Sequence, residues 1–551
     1  MAYEIDRRRL LGMGIGLGAS VMGGRLLAAC GGGGAQRQNV GAQRSSVTGP
    51  SGAPVRGGTL VFSDTEAVPS WHNQKQLSYS AGNLTFATNV FLLYFDPYQK
   101  TLQPWAAESW GKNPDNTAYW FKIRKGITFS DGTPLTPQLV AQNYERFGRG
   151  DDKLRVPVHP QISRGFDHVE VDGDTVKIVL AKPNQQFLRD VTRVNSSIVG
   201  AKTLALDLEE AGLPYNHVGA GPFVYESYVP GQEATLARRT GYRWAPASSP
   251  NQGEAYLDKV IWKVLPELGL RTGALASGQV DLARGIQPAD EEVIIDRGYQ
   301  LLYYRPPLGT SNHAALRVDN EFTRDIRVRR ALTLGIDREG LTRHALTPRY
   351  PPPVSILNVN NANVIDLSRE FQYNPEVARD LLEQAGWKRG PDGIRAKDGK
   401  RLNLTVPQSA QQVALGPAWE YIAQLWRKQL GIVLDVRNDP AFAASANQDV
   451  NVPIVVSRTS IVSLGQSFGG PGNTALLGSP PELLALYQRE LEAKDDDEFR
   501  QVQIAQQNAL HEGAYVIAYF EEAQTFGASP RVHVTFQTQT YPDFYNAWKV
   551  S

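Results

Sequence analysis

The chain has 551 residues, too many for one ordinary hydrophobic core, so two or three lobes are expected. Its hydrophobic (41%) and charged (21%) fractions are those of a soluble globular protein, and a formal charge of +1 gives no reason to expect nucleic acid or an anionic membrane surface as partner. A single cysteine excludes an internal disulfide and a cysteine-based zinc site.

Residues 1–30 read as an address and not as part of a fold. Arg7-Arg8-Arg9 precede Leu10-Leu11 and a mildly apolar, glycine-rich run to Ala29, which resembles a twin-arginine export signal. The run is too short and too rich in glycine for a transmembrane helix. Its glycines at 12–18 follow no strand, so they do not make a dinucleotide fingerprint. Leu27-Ala28-Ala29-Cys30 resembles a lipobox, in which Cys30 becomes the lipidated first residue. The alternative is an ordinary cleavable signal with an incidental cysteine. Removal of residues 1–29 takes away four arginines and two acids, leaving a formal charge of −1. One acyl chain anchors only marginally, so a stable anchor needs the diacylglyceryl group that the lipobox implies. Residues 31–57 are rich in Gly, Gln, Ser and Ala and cannot bury a core; they read as a flexible tether.

The first strand opens at Gly58-Thr59-Leu60-Val61-Phe62, followed by a loop, Pro69-Ser70-Trp71-His72-Asn73. Residues 119–147 then read as strand, tight turn and capped helix. Phe121, Ile123 and Ile127 mark an extended run broken at Gly126, and Asp131-Gly132 is the turn. Thr136 is placed as an N-cap, Pro137 stands at the first helical position, and Val140, Tyr144 and Phe147 recur at helical spacing. Residues 166–180 alternate around Asp172-Gly173 and predict a hairpin. The glycines of Gly219-Ala220-Gly221-Pro222-Phe223 are expected to serve a tight backbone path, since neither a helix start nor a lysine follows. A helix ended by Gly278 and then a strand is expected over 270–283. Charges at Arg327, Arg329, Arg330 and Arg338 read as a solvated helix face. Asn374-Pro375 caps a helix that Gly386 ends. Trp419–Leu430, Gly431 and Ile432–Val436 read as helix, stop and strand. Alternating helices and strands argue an α/β architecture. Residues 514–520 are a continuous apolar run suited to a buried strand, and the aromatic tail 541–550 is expected to pack.

Several of these stretches also resemble motifs of the extracytoplasmic solute-binding proteins of family 5, the peptide- and nickel-type receptors of ABC importers. The matching residues are Lys122-Ile123-Arg124-Lys125-Gly126, Phe129, Asp131-Gly132 and Pro134-Leu135-Thr136. Others are Gly219–Phe223 and Arg327–Ala331 through Ile336-Asp337-Arg338. Gln138-Leu139-Val140 departs from the usual acidic residue and valine. The resemblance implies an α/β, two-lobed periplasmic-binding-protein-like fold with an inserted subdomain and a hinge between lobes. It implies lobe I over 58–88, 200–303 and 521–551, the subdomain over 89–199 and lobe II over 304–520. Such a chain is a monomer without a cofactor, working with separate permease subunits and an ATPase on other chains; no Walker A motif occurs here. The ligand set it suggests is Trp71 and Tyr519 for stacking, His72, Asn312 and His313 for hydrogen bonds, and Arg458 for a negative group. Relatives that bind peptides carry an aspartate for the α-ammonium near 456–474. This sequence has no acid there, which counts against an ordinary peptide with a free N-terminus.

Two other function classes have a foothold. Gly465-Gln466-Ser467-Phe468-Gly469 matches Gly-x-Ser-x-Gly, the nucleophile elbow of serine hydrolases, but Gly470-Pro471-Gly472 blocks the helix that must follow the serine. The second is a ligand sensor without transport. The eight histidines are scattered with no His-Glu-x-x-His, so no metal site is expected.

Overall fold

The computed structural model describes residues 49–551 apart from 69, 76–78, 307–308, 409–412, 440–441, 443–444, 447–448, 458–462, 471–477, 479 and 522. Cys30 and Arg458 therefore lie outside the described residues. Among the described residues no helix is long and apolar enough to cross a membrane.

The first strand, Thr59–Asp64, buries Leu60 and Phe62 completely and runs near the middle of a seven-stranded mixed sheet. It is parallel to Lys259–Val264 on one side and to Leu282–Arg284 on the other. Beyond the former lie Glu233–Arg238 and Phe223–Val229, and beyond the latter Gln524–Ala528 and Gln300–Tyr304, all antiparallel to their neighbours. The glycine pair preceding Phe223 meets the expectation of a tight path: an added Cβ at Gly221 would stand 2.6 Å from both Ala87 O and Asn89 N.

The 119–147 region folds as its sequence predicts. Strand Ala118–Ile123 alternates buried and outward residues, and the turn at 129–133 is closed by Phe129 N donating to Thr133 O. Thr136 Oγ1 then accepts from Leu139 N at 3.2 Å and starts helix Pro137–Arg149. This helix buries Val140, Tyr144 and Phe147 against a four-stranded antiparallel sheet. The sheet contains Ala107–Lys112, Ala118–Ile123 and the hairpin Phe166–Asp172/Thr175–Leu180. One hydrophobic core runs through both sheets and takes in the tail residues Tyr541, Phe544, Tyr545 and Ala547.

A second body of core is built on Asn312–Leu316, flanked antiparallel by Ile454–Ser457 and Val516–Phe520. Val516–Phe520 is buried at every position, as its unbroken apolar run requires. Beside it, Asn403–Pro407 pairs in parallel with Val433–Arg437. Helix Leu415–Leu430 connects these strands and ends on Gly431 at φ 69°, a left-handed value that glycine adopts without penalty. Helix Pro375–Gln384 begins with Asn374 Oδ1 accepting from Val377 N at 3.1 Å.

The expectation of a solvated face on the 326–338 arginines is corrected at two positions. Arg329 and Arg338 are each 5% exposed. Arg329 donates to the carbonyls of Gly513, Thr323 and Arg324; Arg338 donates to those of Ala518, Phe371, Thr333 and Ile336. A guanidinium whose donors are taken by main-chain oxygens can be buried, and the charge pattern alone does not reveal that those oxygens converge there.

Two chain segments pass between the bodies. Gln300–Tyr304 lies in the large sheet and Asn312–Leu316 in the three-stranded one; the return runs from Val516–Phe520 to Gln524–Ala528. The strands that each crossing leaves and enters are neighbours in both sheets, the arrangement of a two-segment hinge.

Candidate functional site: the strand ends at the interlobe crossing

In α/β sheets a ligand sits beyond the carboxyl ends of parallel strands. Here the parallel strands Thr59–Asp64 and Leu282–Arg284 end side by side on Asp64 and Arg284, which are both buried. Arg284 Nη1 donates to Asp64 Oδ1 at 2.8 Å and to Thr65 Oγ1 at 3.2 Å, and Nε donates to Gln524 Oε1 at 3.3 Å. The guanidinium lies 3.6 Å over the Tyr79 ring. Asp64 Oδ2 accepts from Asn83 Nδ2 at 2.8 Å and Trp262 Nε1 at 3.3 Å. The carboxylate is thus saturated, while Arg284 Nη2 has no hydrogen-bond partner among the described residues.

On the hinge, Glu521 is 2% exposed. Burial pushes its carboxyl up to about 7, against the pull of Arg305 and of the hydrogen bonds from Val359, Val354 and Ser311. Hydrogen bonds to main-chain carbonyls hold both crossings: Glu521 N donates to Pro351 O, Ser311 N to Ile356 O, and the side-chain Asn358 Nδ2 to Pro306 O.

The sequence-derived candidates fall into two groups. Trp71 is 2% exposed and packs edge-on against Tyr225, with ring centroids 4.1 Å apart, and beside Tyr228 and His217. His72 Nδ1 accepts from Gln74 N at 3.2 Å, and its Nε2 is buried without a hydrogen bond among the described residues. Burial, with Arg146 nearby, pulls this imidazole down to about 3, so it is neutral at ordinary pH. In the other body, Asn312 sits at a bulge in its strand and His313 follows it, both buried. His313 Nδ1–H donates to Ser311 O at 2.9 Å, which leaves Nε2 as an acceptor; this atom and Asn312 Oδ1 are buried without a hydrogen bond among the described residues. Burial lowers His313 to about 4. Tyr519 donates its hydroxyl to His313 O at 2.9 Å and packs against Trp419, so the fold does bring Tyr519 and His313 together. Every contact just described for these five residues stays within one body.

Sequence reasoning missed Asp64, Tyr79, Arg284 and Glu521. A partial signal existed: the expected helix-and-strand block at 270–283 stops one residue short of Arg284.

Ser467 lies within the short helix Leu464–Phe468 and not ahead of one, and its hydroxyl donates to Ser463 O at 2.9 Å. A nucleophile elbow requires the opposite order. Among the described residues no cluster of three or more His, Cys, Asp or Glu is arranged to hold a metal ion.

Two cores, joined by two crossings that link neighbouring strands, with polar strand ends between them, define the class of two-lobed α/β binding proteins. Solved structures similar to the chain share that fold. AppA from Bacillus subtilis in complex with a nonapeptide superposes with a TM-score of 0.77 at 19% identity, covering 91% of this chain and all of AppA. NikA from Brucella suis in complex with Fe(III)-EDTA gives 0.75 at 20% identity, covering 90% of this chain and all of NikA. The sequence profile of the bacterial extracellular solute-binding proteins, family 5, matches residues 101–467, and the chain belongs to that family. The oligopeptide-binding protein AppA of Bacillus subtilis (strain 168) is 27% identical over 381 residues, 66% of either chain. The glutathione-binding protein GsiB of Salmonella choleraesuis (strain SC-B67) is 24% identical over 307 residues, 56% of this chain and 57% of GsiB. These sequence matches thus span less than two thirds of each relative's length.

Proposed function

We propose that the chain is the extracytoplasmic receptor of an ABC importer, which closes its lobes over a small solute and delivers it to a membrane permease. The observation that carries this reading is the family match over 101–467 on a fold whose two lobes are joined by two crossings between neighbouring strands. Solutes named for relatives are an oligopeptide, glutathione and Fe(III)-EDTA. For this chain the solute is a peptide-like compound, an oligosaccharide or a metal chelate. Trp71, His72, Asn312, His313, Arg458 and Tyr519 are its proposed ligand set; Asn312 Oδ1 and His313 Nε2, without a hydrogen bond among the described residues, are the atoms best suited to meet it. The lobe and subdomain boundaries given above go with this reading, as do export by the twin-arginine route, lipid attachment at Cys30 and action as a monomer. The chain itself performs no catalysis.

Native mass spectrometry of the protein purified from its host, with denaturing release of bound molecules, tests the proposal. A defined small molecule in near-stoichiometric amount is the expected result and names the solute class. A peptide with a free N-terminus would overturn the inference from the missing acid at 456–474. Hydrolysis of ester or amide substrates that disappears in Ser467→Ala would overturn the receptor reading.

A further inference from the structure

The lobes touch at a second place, away from the hinge. Helix Pro481–Glu492 ends at Ala493, and helix Asp496–Glu512 begins three residues later. A helix leaves its last four carbonyls without internal partners and its first four N–H groups likewise. The second helix satisfies its own start: Asp495 Oδ1 accepts from Glu498 N at 2.8 Å, and Glu498 Oε2 accepts from Lys494 N at 2.9 Å. The end of the first helix is satisfied from the other lobe. Asn116 Nδ2 donates to Ala493 O at 2.9 Å and to Lys494 O at 3.4 Å. Gln185 N donates to Leu491 O at 3.4 Å, and Gln185 Nε2 to Asp496 Oδ1 at 3.3 Å.

These two amides are also held from within their own lobe. Lys112 Nζ donates to Asn116 Oδ1 at 2.6 Å and to Gln185 Oε1 at 2.7 Å, which orients both NH2 groups outward. Asn184 N donates to Asn116 O at 3.0 Å and ties the two loops together. Asn116 adopts φ 54°, a left-handed value that asparagine tolerates well. Asp495 and Asp496 face the Lys112 ammonium across the boundary, and Arg189 lies 5.7 Å over the Phe499 ring. Asn116, Ala493 and Phe499 are all at most 3% exposed.

We propose that Asn116 and Gln185 form an interlobe latch, which holds the closed state from outside the solute site by bonding, from the opposite lobe, the turn at 493–496 that joins the two helices. Opening exchanges these bonds for water, so each shifts the closed-to-open ratio by about two- to tenfold and not more. The latch therefore gives the ligand-free protein a closed population, and solute adds to it.

The test uses the full chain carrying Cys30→Ser, which removes the only cysteine. Spin labels are placed on cysteines introduced at exposed Lys153 and Gln488, one on each lobe. Pulsed dipolar distances are recorded without solute. Asn116→Gly keeps the left-handed backbone free of strain and removes only the amide; Gln185→Ala removes the second side chain. The expected result is a short-distance population in the parent whose ratio to the long-distance one falls about two- to tenfold in Asn116→Gly and further in the pair, with melting temperatures close to the parent's. An unchanged distance distribution in the folded double variant would overturn the latch, and so would a parent that is wholly open. No solute is present, so the outcome is independent of the receptor proposal.

Discussion

Glu521 is an acid whose chemistry is changed by its position on the hinge. Its carboxyl is raised from the usual 4.5 to about 7 by burial in the crossing, facing Arg305. A group that binds its proton more tightly when folded contributes stability that is complete below its unfolded pKa and is lost as pH rises through its folded one. The contribution thus disappears between about pH 4.5 and above pH 7, and it is at most about 3 kcal/mol. Glu521→Gln imitates the protonated acid. It should melt with the parent at pH 5 and several degrees higher at pH 8; an equal difference at both pH values would show that the carboxyl does not titrate there. Asp64 and Arg284 pose a different question. A buried ion pair is weak evidence of net stabilisation, yet breaking one half strands a charge. Arg284→Met should cost about 3–5 kcal/mol in urea unfolding, and adding Asp64→Asn should recover part of the loss. A strictly additive cycle would mean that the two charges are not coupled. Neither residue was legible in the chain, because an aspartate after one strand and an arginine after another become neighbours only when the strands pair.

At the scale of elements, local chemistry was a reliable guide wherever the signal was confined to a few residues. Thr136-Pro137 and Asn374-Pro375 start helices because the side-chain oxygen and the fixed proline φ act within one turn, and Gly431 stops one for an equally local reason. Gly221 shows the other kind of glycine, one required by a neighbour. An alanine Cβ there would meet main-chain atoms of Ala87 and Asn89, which cannot rotate away. Gly221→Ala should therefore cost about 1–3 kcal/mol or more, read as a lowered urea midpoint, whereas a change within a few tenths would mean that the segment gives way. The arginines of 326–338 mark the limit of this guide. A helical pattern with several charges looks solvent-facing, and only the convergence of carbonyls from 323–324, 371, 513 and 518 makes Arg329 and Arg338 internal cross-links.

For the whole molecule, the N-terminal address and the body make separable predictions. If Cys30 carries the lipid anchor, the parent expressed in a lipoprotein-processing bacterium should sediment with membranes and enter the detergent phase of a two-phase partition. Cys30→Ser should then appear in the aqueous phase with an unchanged fold; equal partitioning of the two would remove the anchor from the proposal. The α/β class, the strand–turn–helix of 119–147, the buried 516–520 strand and the family itself could all be read from the chain, because each depends on periodicity, capping or a contiguous motif. Which residues meet at the crossing could not. Asp64 reaches Arg284 across 220 positions, and Asn116 reaches Ala493 across 377. No local propensity encodes such pairs: they arise when strand order brings the ends of distant segments to one edge, and when two lobes close so that a helix end in one meets an amide in the other.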